Sequence, residues 1–347
     1  MLDDLNILEQ RNSSKDLELA VLECEQLKFK ADIINRENDG RPINNIIVAG
    51  MGGSALAALV IKTWLRSEIK IPFELVSTYD LPNYAGNNTL VILSSYSGNT
   101  EEIISCFDQA KSCNAQIAII TSGGKLIDEA KFGDIAYVPL PTGFQPRMAL
   151  IYQLCSLITI LANFGVIAVD KLNDISNKYD WLKSEVYKWV ASVPTVNNYA
   201  KQLALYSVGK TVAFYGGLLS APVAYKWKIC FNETAKNVSF WNAYPEFNHN
   251  EILGWTSHPV EKPFAIFDIV SNLENPQILK RFEISDRLLS GRRPKSTVVK
   301  LAGDTLIAQL LWGSILADFV SIYLAVLNGV DPMAIDMIER LKQELTQ

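Results

Sequence analysis

The chain has 347 residues, of which 49% are hydrophobic and 20% charged. That is longer than one core usually accommodates, so two domains are expected. The net charge of −5 gives no general attraction for nucleic acid, and any anionic ligand must be held by local features. The five cysteines (Cys24, Cys106, Cys113, Cys155, Cys230) are odd in number and include no C-x-x-C pair, which suits buried thiols in a reducing compartment. The acidic opening, MLDDLNILEQ, lacks the basic-then-apolar order of a signal peptide, so a cytoplasmic protein is expected.

In chain order, residues 1–40 carry a helical pattern (Leu19, Leu22, Phe29, Ile33) that ends at the turn-forming NDGRP. Strand-like runs then alternate with helical ones. NNIIVAG (44–50) precedes a helix from Ser54 to Leu65, and FELVST (73–78) and TLVILS (89–94) precede a helix over 100–111. QIAIITS (116–122) and IAYVPLP (135–141) are each followed by a helix, the second over 147–163. After a polar, helical stretch near 170–207 the alternation resumes. TVAFYGG (211–217), FAIFDIV (264–270) and STVVKLAG (296–303) precede helices over 219–231, 274–289 and 305–328. Asp331-Pro332 can start a last helix. Such alternation predicts an α/β fold with two parallel sheets covered by helices on both faces. The expected organisation is a helical extension over 1–40, a first domain over 41–165, a helical connector over 166–207, a second domain over 208–330 and a C-terminal helix over 331–347.

Two stretches, 149–169 and 305–330, have the length and apolarity of membrane spans but carry Gln153, Asn163, Gln309 and Asp318. They are read as core or subunit-interface helices, not as spans, so an oligomer is expected and membrane association is not.

In a parallel sheet the chemistry gathers beyond the carboxyl ends of the strands. AGMGGSA (49–55) lets backbone amides and a helix start approach an anion closely. It also matches G-x-G-x-x-A at Gly50, Gly52 and Ala55, but Glu74 falls at the start of the second strand, where a dinucleotide site needs an acid at the end. LSSYSGNTEE (93–102) sets Ser95, Ser97 and Thr100 around Gly98. One helix cap needs one hydroxyl, whereas three form a shell of neutral donors for a phosphate. PTGFQPR (141–147) ends in Arg147, whose fork suits an oxyanion. Further on, NETAKN (232–237) and NAYPEFNHNE (242–251) hold Glu233 and His249, a carboxylate and an imidazole able to move protons. No His/Cys spacing suggests structural zinc, and no G-x-S-x-G elbow appears.

AGMGGSA, SSYSGNTEE, PTGFQPR, NETAKN and FNHNE, in this order and spacing, resemble the bifunctional phosphoglucose/phosphomannose isomerases, built from two sugar isomerase (SIS) domains of flavodoxin-like, three-layer form. The resemblance implies an aldose-ketose isomerase that interconverts glucose 6-phosphate, and also mannose 6-phosphate, with fructose 6-phosphate through a cis-enediolate. It implies that Gly52, Gly53, Ser54, Ser95, Ser97 and Thr100 cradle the 6-phosphate, and that Glu233 shuttles a proton between C2 and C1. His249 would open the ring, reaching the site from the other subunit of a homodimer; Arg147 would stabilise the enediolate, and Lys342 matches a terminal active-site lysine. No metal and no cofactor is implied. Where the family segment often reads D-P-T-P, with a threonine that admits the C2 epimer, this chain has Asp331-Pro332-Met333-Ala334, which weighs on the mannose activity more than on the glucose one. The alternative is a non-catalytic SIS module that senses sugar phosphates.

Overall fold

The structure is a computed structural model and describes residues 1–11, 15–257 and 263–345. The chain divides into two units, Glu23–Trp181 and Leu182–Gln347, the latter joined by Met1–Leu22.

Helices α1 (Leu5–Arg11) and α2 (Asp16–Leu22) open the chain and belong to the second unit. The helical expectation for the first forty residues holds only as far as a 3-10 segment, Glu23–Lys28. Beyond it, Ile34 donates to and accepts from Tyr137 at 2.9 and 3.0 Å across an isolated antiparallel bridge. An unpaired sheet edge offers this backbone better partners than a lone helical turn would.

The first unit runs β1 (Asn45–Gly50), α3 (Gly53–Trp64), β2 (Phe73–Val76), β3 (Thr89–Ser94), α4 (Glu101–Ser112), β4 (Gln116–Thr121), α5 (Gly124–Phe132), β5 (Ala136–Pro139), α6 (Leu150–Asn163) and α7 (Lys171–Ser176). All its strands are parallel, in the order β2-β1-β3-β4-β5. TLVILS is buried along its whole length, as a strand covered on both faces must be. The strand order reverses between β1 and β3. Their carboxyl ends therefore splay into a crevice, and the loops entering α3 and α4 line it.

Helix α8 (Tyr179–Val186) leads into the second unit, which continues α9 (Tyr199–Ser207), β6 (Thr211–Gly216), α10 (Ala221–Glu233), β7 (Ser239–Ala243), α11 (Glu251–Gly254), β8 (Phe264–Val270), α12 (Pro276–Leu288), β9 (Thr297–Lys300), α13 (Leu306–Asn328) and α14 (Asp336–Leu345). Its sheet is also parallel, in the order β7-β6-β8-β9. Strand β7 was not expected. It lies at the sheet edge with Phe240 and Trp241 exposed, so its sequence shows neither a buried run nor a clean alternation. The last helix begins at Asp336, later than expected, because Asp331 accepts from the Met333 amide at 2.8 Å in a turn of its own.

Helix α13 is long and apolar enough to cross a membrane, yet 94% of its most apolar window is buried within the chain. It packs on α2, α9 and α10. Each large side chain it buries contributes about 1.5–3 kcal/mol. Across the α10–α13 contact, Lys226 pairs with Asp318 at 2.7 Å, both fully buried, and Trp227 donates to the Gly313 carbonyl at 2.9 Å.

Candidate active site

In the first unit, the loops after β1 and β3 are tied together at the crevice. Ser54 Oγ accepts from the Tyr96 amide at 3.2 Å, and Ser94 Oγ donates to the Ser54 carbonyl at 3.1 Å. Gly52, at φ +51°, turns the chain into α3 in a conformation other residues avoid, and no side chain caps that helix. Helix α4 also starts without a side-chain cap. Thr100 stands at its N-cap position, but its hydroxyl pairs with Ser95 Oγ at 2.8 Å; Asn99 Oδ1 accepts from the Lys125 amide at 2.9 Å. Neither residue therefore caps α4, Asn99 serving the first turn of α5 instead, and two helix starts, α3 and α4, present amide groups, with the partial positive charge of their dipoles, at one crevice.

The loop after β3 turns at Gly98, φ +70°, where a Cβ would meet the Gly123 carbonyl oxygen at 1.8 Å. Ser95 is buried and its Oγ accepts from the Gly98 amide at 3.1 Å, while Ser97 is exposed and its Oγ accepts from the Asn99 amide at 3.3 Å. Glu101, in the first turn of α4, accepts from the Tyr79 hydroxyl at 3.2 Å.

The third loop joins the same place. A Cβ on Gly53 would lie 2.8 Å from the Arg147 amide nitrogen, so the glycine is what lets Pro146–Met148 pass against α3. Arg147 is buried there. Tyr96 connects this loop to the serine loop: its hydroxyl donates to the Pro141 carbonyl at 2.7 Å and accepts from the Phe144 amide at 3.2 Å. Sequence reasoning passed over Tyr96, since one aromatic in a run of serines carries no signal. The structure thus brings Gly52, Gly53, Ser54, Ser95, Thr100 and the backbone of Arg147 together in one unit, with Ser97 at its exposed rim. A separate cavity of about 540 Å³, lined by Arg41, Lys111 and Phe132 among others, opens at the amino ends of β4 and β5, the end of a parallel sheet that does not direct chemistry.

In the second unit, Glu233 is the last residue of α10 and half-buried. It lines a cavity of about 460 Å³ together with Asn232, Lys236 and residues 334–338 at the start of α14. Lys236, at φ +50°, donates to the Asp331 carbonyl, and Asn328 donates to the Ala235 carbonyl at 3.0 Å; both hold the C-terminal segment against the end of α10. Ala334, in the segment where the sequence departs from the resembled pattern, is among the lining residues. Lys342 lies farther along α14, exposed, and is not one of them.

His249 ends a 3-10 turn, Glu246–His249, and is exposed. The turn is anchored from below. Phe247 is fully buried with its ring 4.7 Å from Tyr215 and 5.0 Å from Tyr244, and Asn248 bonds Ser285 at 2.7 Å and Arg281 at 3.1 Å. Glu251, the acid of FNHNE, accepts from the Tyr215 hydroxyl at 2.5 Å and from Asn242 Nδ2 at 2.7 Å. It fixes the start of α11 behind the histidine. Burial, followed by the Glu251 charge, pushes the Tyr215 hydroxyl well above its usual range, so it remains a donor.

Among the described residues no group of three or more His, Cys, Asp or Glu side chains could hold a metal ion. The five cysteines are free thiols, and burial pushes Cys106 up to about 11 and Cys155 up to about 12.

Residues 41–134 match the SIS domain family, and residues 196–345 match the family described as the bacterial phospho-glucose isomerase C-terminal SIS domain. The chain is 33% identical over 310 residues to a bifunctional phosphoglucose/phosphomannose isomerase of Caldicellulosiruptor bescii, covering 88% of this chain and 90% of that one. A protein of the same description from Aquifex aeolicus is 30% identical, covering 88% and 92%. Among solved structures, a glucose-6-phosphate isomerase like protein from Thermus thermophilus superposes with a TM-score of 0.64 at 18% identity, covering 99% of this chain and 98% of that one, a likeness of fold. With both SIS regions matched and relatives of this similarity spanning nearly its full length, the chain belongs to the bifunctional phosphoglucose/phosphomannose isomerase family.

Proposed function

We propose that the protein is an aldose-ketose isomerase that interconverts glucose 6-phosphate and mannose 6-phosphate with fructose 6-phosphate. The single observation that carries the chemistry is Glu233, a carboxylate set in a cavity at the end of a helix whose flank is locked by the buried Lys226–Asp318 pair. The substrate phosphate is held by the Gly52-Gly53-Ser54 turn with Ser95, Ser97 and Thr100. The two uncapped helix starts support this, because they offer amides to a dianion without a lysine. Anchoring the phosphate away from the reacting carbons supplies binding energy that positions C1 and C2.

Glu233 removes the proton from C2 of the open-chain aldose and delivers it to C1 of the cis-enediolate, while the proton of the C2 hydroxyl passes to the C1 oxygen, so atoms balance and no external oxidant is needed. Arg147 stabilises the charge that develops on the enediolate oxygen, and its burial favours this, since a cation acts more strongly out of water. His249 opens the ring by moving a proton between O5 and O1. It is contributed by the partner subunit of a homodimer, a reading supported by its exposure on a rigidly anchored turn. Lys342, exposed farther along the C-terminal helix and outside the Glu233 cavity, is assigned to the site on the family resemblance alone. The protein acts in the cytoplasm, in keeping with its five free thiols.

The test is a coupled assay of the purified protein on both sugar phosphates, with the Glu233→Gln variant alongside. The variant is expected to bind fructose 6-phosphate and to turn it over about 10³-fold more slowly than wild type. Sugar-phosphate binding by the wild-type protein with no isomerisation would instead establish the sensing module.

A further inference from the structure

The two sheets are built alike. In the second unit the order β7-β6-β8-β9 reverses between β6 and β8, so a second crevice opens at their carboxyl ends, beside the amino terminus of α10. A helix start in that position is a ready anion site. Here it is already filled, and by the chain itself.

Glu274, from the loop that follows β8, lies 5% exposed against the first turn of α10. Its Oε1 accepts from the Leu219 amide at 2.6 Å and from the Ser220 amide at 3.0 Å. Ser220 Oγ lies 3.4 Å from the same oxygen, with its proton given to the Ile269 carbonyl at 2.6 Å, and accepts from the Gly217 amide at 2.7 Å. The carboxylate passes so close to the loop that a Cβ on Gly217 would stand 2.3 Å from Oε1. Its other oxygen, Oε2, is buried and meets no hydrogen-bond partner among the described residues. Burial raises the carboxyl above its usual range against the pull of the two amides, so the site is built around a group that gives up water to be there.

Two amide donors at a helix start and a glycine cleared for close approach form the arrangement that a phosphate would take, and the Glu274 carboxylate, with one oxygen left unsatisfied, stands in the anion's place. Neither α3 nor α10 is capped by the side chain of its own N-cap residue, and on α10 the carboxylate comes from outside the helix. We infer that the second crevice is an anion site sealed by the Glu274 carboxylate, and that removing this carboxylate opens the α10 amino terminus to a phosphate-sized anion. The repeated architecture then yields one phosphate cradle per chain where the topology offers two. The inference stands independently of the roles proposed for the first unit.

The experiment compares the full-length wild-type chain with Glu274→Ala, titrating inorganic phosphate by calorimetry in a chloride buffer and following Tm with and without phosphate. Glu274→Ala is expected to bind one phosphate per chain more than wild type, and its Tm to rise further on phosphate addition, because a ligand that binds only the folded state stabilises it. Equal stoichiometry and an equal Tm response in the two proteins overturn the inference. Since the readout is the increment, a wild type that binds no phosphate counts against the first unit's cradle and leaves this test intact. Should Glu274→Ala not fold in either buffer, Glu274→Gln decides, as it keeps the shape and loses the charge. A Tm several degrees below wild type supports an anion requirement, and an unchanged Tm overturns it.

Discussion

Replacing Gly53 by alanine tests how the first unit holds its loops. The added Cβ would sit 2.8 Å from the Arg147 amide nitrogen, 2.9 Å from its Cα and 2.9 Å from the Pro146 carbonyl carbon, all backbone atoms, where ordinary contact begins at 3.4 Å. The Pro146–Met148 segment must therefore retreat by about half an ångström, and overpacking of this kind costs about 1–3 kcal/mol. At about 2–4 °C per kcal/mol for a unit of this size, Tm should fall by roughly 2–12 °C. Because Arg147 travels with the segment, kcat/KM should fall more steeply than stability alone explains, by up to about 100-fold. Gly52→Ala is the control: open space surrounds its Cβ, but φ is +51°, so it pays backbone strain of about 1–2 kcal/mol without pushing Arg147. The assay pairs thermal unfolding with fructose 6-phosphate kinetics. A Gly53→Ala protein with wild-type Tm and wild-type kcat/KM would refute the close approach and the role built on it.

The other predictions concern separate parts of the molecule. Ser95→Ala removes the partner of Thr100 and of the Gly98 amide, and should raise KM for the sugar phosphates about tenfold with kcat little changed, as steady-state kinetics would read. Lys226→Met leaves Asp318 buried without its cation and should cost about 3–5 kcal/mol by denaturant unfolding, while the double variant with Asp318→Leu should recover much of the loss. Met333→Thr should raise the ratio of mannose 6-phosphate to glucose 6-phosphate turnover, measured on both substrates in parallel.

Asp268 predicts a pH dependence. Burial pushes its carboxyl up to about 7, with Arg293 pulling the other way, whereas the unfolded chain titrates near 3.8. The folded state therefore holds this proton more tightly, and stability declines as pH rises from about 4 to about 7 and then levels off. Asp268→Asn should be more stable than wild type at pH 8, by on the order of 2–4 kcal/mol, and no more stable at pH 4. Equal gains at both pH values would contradict the linkage.

The alternation of apolar runs and helices made both sheets legible, because a strand buried on both faces, such as TLVILS, leaves a continuous apolar signature. Edge strand β7 left none, since Phe240 and Trp241 are exposed at the sheet edge and break both the buried run and the alternation. The extended stretch after Lys28 was also hidden, because the partner of Ile34 lies about a hundred residues away at Tyr137. Within the site, the hydroxyl-rich and glycine-rich loops carried enough chemistry to be found from composition. What connects them did not: Tyr96 acts through its hydroxyl and backbone on two distant loops, and Glu251 through Tyr215 and Asn242. Glu274 carries no sequence signal of its contacts, because the amides it satisfies lie 55 and 54 residues earlier. Long-range partners of polar side chains leave no periodic trace in a sequence.

The central claim is that Glu233 moves a proton between C2 and C1 of a sugar 6-phosphate. It is tested most directly by incubating fructose 6-phosphate in deuterated water with the wild-type protein and with Glu233→Gln, in the presence of a chelator, and following the aldose products by NMR. The account predicts glucose 6-phosphate carrying deuterium at C2 from the wild type, and a rate lower by about 10³-fold in the variant with binding retained. Turnover by Glu233→Gln at the wild-type rate would contradict it.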